Sequence, residues 1–221
     1  ISNRSISSFN SNGFAFQGGD GQFNGVGNNY VSWSFRKSPK FFDCVQYTGD
    51  GSLSQRSIPH SLESTPGLVV IKMVDSSSDW TVGHTNAKYP YYTSLNKTAS
   101  LSGGSVTGKG YISFSSSNFS VWSGGSQAND LNTFGASYVA YIFAHNNNDG
   151  GFGPSGDQDV IKAGQYAGNS SNTGPVVNLG FEPQWLLIKN VNDSNEGWSI
   201  HDNKRDLYNP RTVLLRANTN D

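Results

Sequence analysis

The stretch PGLVVIKMV, residues 66–74, opens with a proline and continues as a near-continuous apolar run. A run of this length is too short to cross a membrane, and it fits a strand buried on both faces or inside a sandwich core. The same pattern returns as PQWLLIK at residues 183–189. The stretch therefore predicts a buried strand and, through its second copy, a repeated β-module.

The repeat extends in both directions from this strand, and five further pairs of segments match in the same order. The pairs are QYTGDG at 46–51 with QYAGNS at 165–170, DWTVGH at 79–84 with GWSIH at 197–201, NNYVSWSF at 28–35 with ASYVAYIF at 136–143, NGFAFQGG at 12–19 with NFSVWSGG at 118–125, and ISSFNSNGF at 6–14 with ISFSSSNF at 112–119. Their order predicts a duplicated module. The phase predicts a complete module at residues 41–159, a back half at 1–40 and a front half at 160–221.

An isolated half-module would leave strand edges unpaired and an apolar face in water. We expect first that residues 1–40 complete the second module within the same chain, with Phe14 and residues 30–35 near residues 185–189. The halves could instead meet between neighbouring chains, or the sequence could be a slice of a longer repeat array. Because the sequence begins at Ile1 and not at Met, we also expect processing or a longer parent chain.

Composition favours an all-β protein and argues against several other classes. Of 221 residues, 26 are glycines, 13% are aromatic and 14% are charged, and the net charge is -1. The aromatic content excludes a disordered chain, and the lack of a basic stripe argues against nucleic-acid binding. No apolar run suits membrane insertion. Short strands at about 8–12-residue spacing, joined by Gly, Asn and Ser turns, predict β-sandwich or jelly-roll modules.

Several strands can be predicted from local pattern. Residues 42–47 and 138–143 are each expected to form one. Trp80 and Val82 alternate with two small residues, which predicts a half-exposed strand over residues 80–83. The single cysteine, Cys44, has no histidine or cation beside it in the sequence, so we expect a thiol packed in the core.

The order of the motifs YVSWSFRKSPKFFDCVQYTGDG (30–51), PGLVVIK, DWTVGH, FSVWSGG (119–125), YVAYIFAH (138–145) and GFEPQWLLIK (180–189) resembles a module common in tail-fibre-like proteins of marine bacteriophages. The resemblance covers most of the chain and implies a concanavalin A-like, lectin-type sandwich in a virion. It carries over no ligand residues. The sequence departs from the pattern in a shortened joint before Asp157 and in the half-modules at both ends.

The acidic and histidine residues give little support to catalysis. Concanavalin-like glycosidases need two carboxylates at a set separation in a groove, whereas most acids here lie in turns. The nearest pair, Asp157 and Asp159, lacks a third acid. No nucleophile elbow is present, and His84 and His201, at related repeat positions, fit a structural role. We therefore expect no enzymatic activity.

The Gly-rich bend HNNNDGGFGPSGDQD, residues 145–159, offers hard oxygen ligands of the kind that calcium prefers. The candidate ligands are Asp149, Asp157 and Asp159. The bend lacks the spacing of an EF-hand, and a solvated hinge between modules is the favoured interpretation. We expect no cofactor, with calcium as the alternative.

Carbohydrate sites combine aromatic faces with hydroxyl and amide hydrogen bonds. The candidate ligand-binding residues are Trp122, Tyr89, Tyr91 and Tyr92. Trp122 precedes a Gly-rich turn, and the three tyrosines surround a proline in a loop. By contrast, Trp80 and Trp198 recur in both copies of the repeat, which predicts a role in the strands or the core.

These features predict a non-enzymatic, extracellular virion protein of a tail fibre or another exposed appendage, which binds a host surface glycan or protein. Other virion proteins and further copies of this chain are the expected partners, and nucleic acid is not. Two alternatives stay open. One is a purely structural module of a fibre shaft or capsid decoration, and the other is a glycan depolymerase with paired acids in a groove.

Overall fold

A computed structural model describes residues 5–18, 21, 23–30, 32–86, 93–98, 111–122, 131–205, 208–209 and 212–218. The strands in chain order are β1 (Ser5–Asn10), β2 (Gly13–Gln17), β3 (Phe42–Thr48), β4 (Arg56–Pro59), β5 (Pro66–Met73), β6 (Thr81–His84), β7 (Thr93–Ser94), β8 (Tyr111–Phe114), β9 (Asn118–Trp122), β10 (Ser137–Ala144), β11 (Trp185–Lys189), β12 (Trp198–Asp202) and β13 (Leu215–Arg216). The described residues contain no helix, which confirms the all-β class, and so none that could cross a membrane. The chain divides into two units, Ile1–Phe35 and Arg36–Asp221.

The larger unit contains a five-stranded antiparallel sheet in the order β3-β10-β5-β6-β7. Its strand β10 lies between β3 and β5, so that Tyr141 pairs with Cys44 on one side and with Val70 on the other. The strands predicted at 42–47, in the stretch 66–74 and at 138–143 are confirmed. With the three-stranded antiparallel sheet β4-β9-β8, the architecture is consistent with a β-sandwich.

The main hydrophobic core lies between these two sheets. Tyr138, Ala140 and Ile142 of β10 are fully buried because the side chains of a strand alternate between its two faces. They belong to one cluster with Phe119 and Val121 of β9, which are also fully buried. The apolar half of β10 is therefore the centre of the complete module.

A second apolar cluster lies on the opposite face of the five-stranded sheet. Val70 of β5 and Val82 of β6 pack there with Trp198 of β12, and Leu187 of β11 lies at its margin. Because β11 and β12 belong to the second copy of the repeat, this cluster joins the two copies inside the larger unit.

Strand β6 differs from its prediction as a half-exposed strand over residues 80–83. Its first three residues are all buried. Val82 lies in the cluster with Trp198 on one face, and Gly83 faces Ile112 of β8 on the other. The prediction was wrong because alternation of residue types does not show that both faces of a strand are covered.

The hairpin β11–β12 has the same register as β5–β6. Val70 pairs with Val82 in the first hairpin, and their counterparts Leu187 and Ile200 pair in the second. A third strand follows in each case, since β7 pairs with β6 and β13 pairs with β12. The repeated sequence thus forms the same three-stranded arrangement twice.

In both copies, a lysine side chain donates hydrogen bonds to backbone carbonyls of the hairpin loop. Lys72 Nζ donates to the carbonyl oxygens of Met73 and Ser76 at 2.7 and 3.0 Å. Lys189 Nζ, at the matching position, donates to the carbonyl oxygens of Asn190 and Asp193 at 2.7 and 3.2 Å. A third bond reaches the far side of the loop in each copy, at Ser78 Oγ and at the Glu196 carbonyl.

The hairpin β1–β2 of the smaller unit repeats the hairpin β8–β9 of the larger one. Phe9 pairs with Phe14 in the first, and Phe114 pairs with Phe119 in the second. The register of β1 shifts by one residue between Ile6 and Ser8, which forms a bulge. The bulge accounts for the one extra residue that separates the two sequences.

Residues 160–184 form no strand, although they contain the counterparts of β3 and β4. In the complete module β3 pairs with β10 and β4 pairs with β9. The counterparts of those two partners lie in residues 1–35, far away along the chain. Tyr166, the counterpart of buried Tyr47, is exposed. The strand pattern of this segment therefore depends on partners that the segment does not itself contain.

Cys44 is exposed, so the expectation of a packed core thiol is wrong. Its neighbour Asp43 is the buried residue, and the Asp43 carboxylate accepts the backbone N–H of Ser61 at 2.7 Å and forms an ion pair with Lys37 at 2.8 Å. Burial alone would raise the pKa of Asp43, but Lys37 and two backbone N–H groups together hold it below its usual value. Partial desolvation by its neighbours, and then the negative charge of Asp43, raise the pKa of the Cys44 thiol, which disfavours the reactive thiolate.

Candidate functional site

The two copies of the repeat meet at an open groove of about 480 Å³ in the larger unit. The groove is lined by Asn96, Lys97, Thr98, Ser194 and Asn218. The first three residues follow β7 of the first copy, and the last two come from the second copy. The described part of the lining therefore consists of amides, hydroxyls and one ammonium group.

Asn96 is held in place by the strand beside it. Its Oδ1 accepts the backbone N–H of Trp80 at 3.0 Å, and its Nδ2 donates to Asp79 Oδ1 at 3.1 Å. Lys97 Nζ forms an ion pair with the other oxygen of Asp79 at 2.5 Å. The Asp79 carboxylate therefore holds the Asn96 amide in place and neutralises the charge of Lys97.

Asn218 occupies the equivalent position in the second copy. Its Oδ1 accepts the backbone N–H of Trp198 at 2.9 Å, as Asn96 does for Trp80. The counterpart of Asp79 is Gly197, which offers no carboxylate. Asn218 Nδ2 is buried and has no hydrogen-bond partner among the described residues. One wall of the groove therefore carries a polar group that its own copy does not satisfy.

A buried hydrogen bond holds the two copies together beside the groove. Trp198 Nε1 donates to the carbonyl oxygen of Ser94 at 2.9 Å, two residues before Asn96. Because Trp198 is buried and belongs to the second apolar cluster, the bond is shielded from water. The spacing between the walls of the groove is therefore set by a rigid contact.

The chemistry of this groove suits a hydroxyl-rich ligand. Hydroxyl and amide groups both donate and accept hydrogen bonds, and the volume lies in the range of small-molecule sites. The single cation, Lys97, is paired with Asp79, so the groove does not select strongly for an anion. Among the described lining residues, no group is a nucleophile with a base beside it.

The side chains of the sequence-predicted aromatic residues lie outside the described part of the structure. Trp122 is the last residue of β9, where its backbone pairs with Tyr111, and its side chain lies outside the described part of the structure. Tyr89, Tyr91 and Tyr92 also lie outside the described residues. Their role in ligand binding stays a prediction.

The candidate calcium ligands have other roles in the bend 145–159. Asp159 accepts the backbone N–H groups of Asn148 and Gly150 at 2.8 and 3.0 Å. Asp149 accepts the N–H of Asn147 at 2.8 Å, and Asp157 is exposed. Among the described residues, no group of three His, Cys, Asp or Glu could hold a metal ion. Hydrogen bonds to the backbone N–H groups of Asn148 and Gly150 lower the pKa of Asp159.

The two histidines of the repeat lie at different structural positions. By the register of the hairpins, His201 pairs with Leu186 and so takes the place of Gly83, not of His84. His84 Nδ1 accepts the backbone N–H of Asn86 at 3.1 Å, and burial lowers its pKa. This hydrogen bond to the turn fits the structural role predicted for His84.

Asp202 also has a structural environment. It takes the position of His84 in the second hairpin and pairs with Arg205, Nε to Oδ2, at 2.5 Å. Hydrogen bonds from the Arg205 backbone and guanidinium lower the pKa of Asp202 to about 2. The carboxylate is therefore charged and engaged at neutral pH.

Sequence reasoning missed the groove, and the pair Asn96 and Asn218 in particular. The two asparagines lie 16 and 20 residues after the tryptophans whose N–H groups they accept. Because the connecting loops differ in length, no fixed spacing marks the pair. Aligned on the two asparagines, SLNKT at 94–98 and RANTN at 216–220 share no other residue, so the sequence carries no clear signal for the pair.

The fold and the groove together define an all-β protein with an internal repeat and an open polar site between the copies. The chain belongs to the DUF7483 family, a domain of unknown function, whose model matches residues 1–221. No curated protein and no solved structure matches the chain.

Proposed function

We propose that this protein is a non-enzymatic virion component of a bacteriophage, in a tail fibre or another exposed appendage, and that it binds a host surface glycan through the groove between its repeats. The observation that carries the proposal is the chemistry of the groove. Thr98 and Ser194 present one hydroxyl from each wall, beside the internally bonded amides of Asn96 and Asn218, and hydroxyl hydrogen bonds of this kind recognise sugars.

The strand pairing supports a finer fold, a concanavalin A-like jelly roll. Strands β3 and β10 pair, and between them in the chain β4 and β9 pair. This nesting is what results when one long antiparallel hairpin wraps around a sandwich core, as in a jelly roll. Lectin-type sandwiches of this kind fit the resemblance to tail-fibre modules.

Binding to a panel of immobilised bacterial capsular and O-chain polysaccharides tests the proposal. The double variant Thr98→Ala/Ser194→Ala removes two groove hydroxyls for which the structure gives no internal hydrogen bond. Because each neutral hydrogen bond contributes about 1 kcal/mol, the affinity of the double variant for the polysaccharide should be lower than that of the wild type by roughly tenfold or more. The double variant Thr85→Ala/Ser155→Ala, which alters exposed positions outside the groove lining, is the matched control and should bind like the wild type.

The same incubation separates a binding protein from a depolymerase. If new reducing ends appear in the polysaccharide, the non-enzymatic proposal is wrong. If no polysaccharide in the panel binds, or if both double variants bind equally well, the groove is not a glycan site. Unchanged melting temperatures of the variants would show that any loss of binding is local.

A purely structural role in the virion is the second candidate, because both units expose large apolar side chains. Phe9 is 83% exposed on the hairpin of the smaller unit, and Leu186 is 37% exposed on β11 of the larger unit. Apolar faces of this kind mark contacts with other proteins. Binding to other virion proteins without any glycan binding would favour this candidate.

A further inference from the structure

The hairpin β1–β2 carries an apolar face whose counterpart is covered in the complete module. There, Phe119 and Val121 of β9 are fully buried in the main core. Their counterparts by register, Phe14 and Phe16 of β2, are 38% and 40% exposed. The hairpin therefore carries apolar side chains at the positions that form the core in the complete module, but these side chains are exposed.

Strand β11 carries the complementary face. In the complete module, Val69 and Ile71 of β5 lie in the main core together with Phe119 and Val121. The matching residues of β11 are Leu186 and Ile188, by the shared register of the hairpins. Leu186 is 37% exposed, whereas Val69 is fully buried. The second copy thus offers the sheet on which such a hairpin packs.

We propose that the hairpin β1–β2 of one chain packs on the β11–β12–β13 sheet of a second copy of this chain. It would take the place that β8–β9 occupies over β5–β6 in the complete module. The same pairing register on both sides, and apolar residues at the same positions, supply the complementarity. The contacts of β9 with β5 and of β8 with β6 within one chain are the template for the contact between chains.

The two departures from this template fall at the same point, which supports the pairing. In the complete module Gly83 allows Ile112 to approach closely, since a Cβ on Gly83 would lie 3.0 Å from the Ile112 side chain. In the second copy His201 takes the place of Gly83, and the residue that corresponds to Ile112 is Ile6. The bulge of β1 begins at Ile6, and a bulge bends a strand locally. The larger side chain of His201 on the sheet thus lies at the position where the hairpin has its extra, bulged residue.

The proposed contact is heterologous, because each chain gives one hairpin and one sheet. Contacts of this kind form rings if the rotation closes and open chains if it does not. The proposal is independent of glycan binding, since its faces include none of the groove residues.

Sedimentation velocity with two variants tests the proposal. Phe14→Asp disables the hairpin and leaves the sheet intact, whereas Leu186→Asp disables the sheet and leaves the hairpin intact. The wild type should associate as its concentration rises, and each variant alone should remain monomeric. An equimolar mixture of the two variants should form a dimer and nothing larger, because only one intact hairpin meets one intact sheet.

The control variant Phe134→Asp places the same charge at a phenylalanine that is 81% exposed elsewhere in the complete module, and it should associate like the wild type. Near-ultraviolet circular dichroism checks that each variant keeps its folded core. A wild type that stays monomeric over the whole concentration range would overturn the proposal and favour closure within one chain. Variants that fold but fail to form a dimer together would overturn it as well.

Discussion

The indole N–H of Trp198 donates to the carbonyl oxygen of Ser94 at 2.9 Å, and this buried bond joins the two copies of the repeat. Trp198→Phe keeps an aromatic ring in the apolar cluster but removes this donor, and the Ser94 carbonyl then retains only the longer hydrogen bond from the Lys97 backbone N–H at 3.4 Å. We expect a loss of about 1–3 kcal/mol in the free energy of unfolding, measured by urea titration.

Trp80→Phe is the matched control for this change. Trp80 is half-buried and stacks on Tyr141 with ring centroids 6.2 Å apart, and a phenylalanine retains that contact. The loss for Trp80→Phe should therefore be the smaller of the two. Equal losses would mean that ring size, and not the hydrogen bond to Ser94, stabilises the junction.

Gly197→Ala should destabilise the protein. A Cβ at this position would lie 2.8 Å from Asn218 Oδ1 and 3.1 Å from Arg216 Nη1, so both side chains must move. Displacement of Asn218 weakens the hydrogen bond that its Oδ1 accepts from the Trp198 backbone N–H. We expect a loss of about 0.5–1.5 kcal/mol, seen as a lower melting temperature. An unchanged melting temperature would show that Asn218 repacks without losing that bond.

Two glycines at matching positions of the repeat should respond differently to alanine. A Cβ on Gly49 would lie 1.9 Å from the carbonyl oxygen of Thr133, so the backbone itself must move. Gly49→Ala should therefore cost at least about 2 kcal/mol. Gly168, its counterpart in QYAGNS, has no heavy atom within 4 Å of an added Cβ, and Gly168→Ala should stay within about 0.5 kcal/mol of the wild type. Similar losses for both would show that residues 165–170 are covered by a partner.

Stability should fall as the pH drops below the usual pKa of histidine. Burial, and to a lesser extent the charge of His145, lower the pKa of His84 from 6.5, and burial also lowers that of His60. The unfolded chain then takes up protons first, so stability is lost from about pH 6.5 downward until the folded state is protonated too. His84→Asn keeps an acceptor for the Asn86 N–H, and it should reduce the slope of unfolding free energy against pH between 7 and 5. An unchanged slope would contradict the prediction.

A calcium chelator should leave the melting temperature unchanged. The oxygens of Asp159 already accept two backbone N–H groups in the bend 145–159. Asp159→Asn should lower the melting temperature whether or not calcium is present, because it weakens those bonds. A chelator-dependent melting temperature, restored by added calcium, would instead establish the metal site.

The strands that were predicted correctly are those whose hydrophobic pattern is set by their own residues. Strands β5 and β10 are apolar runs with clear ends, β3 combines aromatic and apolar residues before a Gly-containing turn, and each was predicted. Burial on both faces of β6 was missed because Trp198 is remote in sequence. Cys44 and Asp43 are adjacent in one strand, and only the register of β3 decides which of them enters the core. The two groove asparagines escaped because loops of different length separate each from its tryptophan.

The inward-turned Lys72 and Lys189 have a consequence for how this protein can change over evolution. Each ammonium group holds main-chain carbonyls, so the shape of the hairpin loop does not depend on which side chains the loop displays. The loops have in fact diverged, from VDSSSD at 74–79 to NVNDSNEG at 190–197, while the lysine bonds are kept. Because the lysines bond to the backbone of the loop, the outward-facing side chains of the loop can change without loss of these bonds.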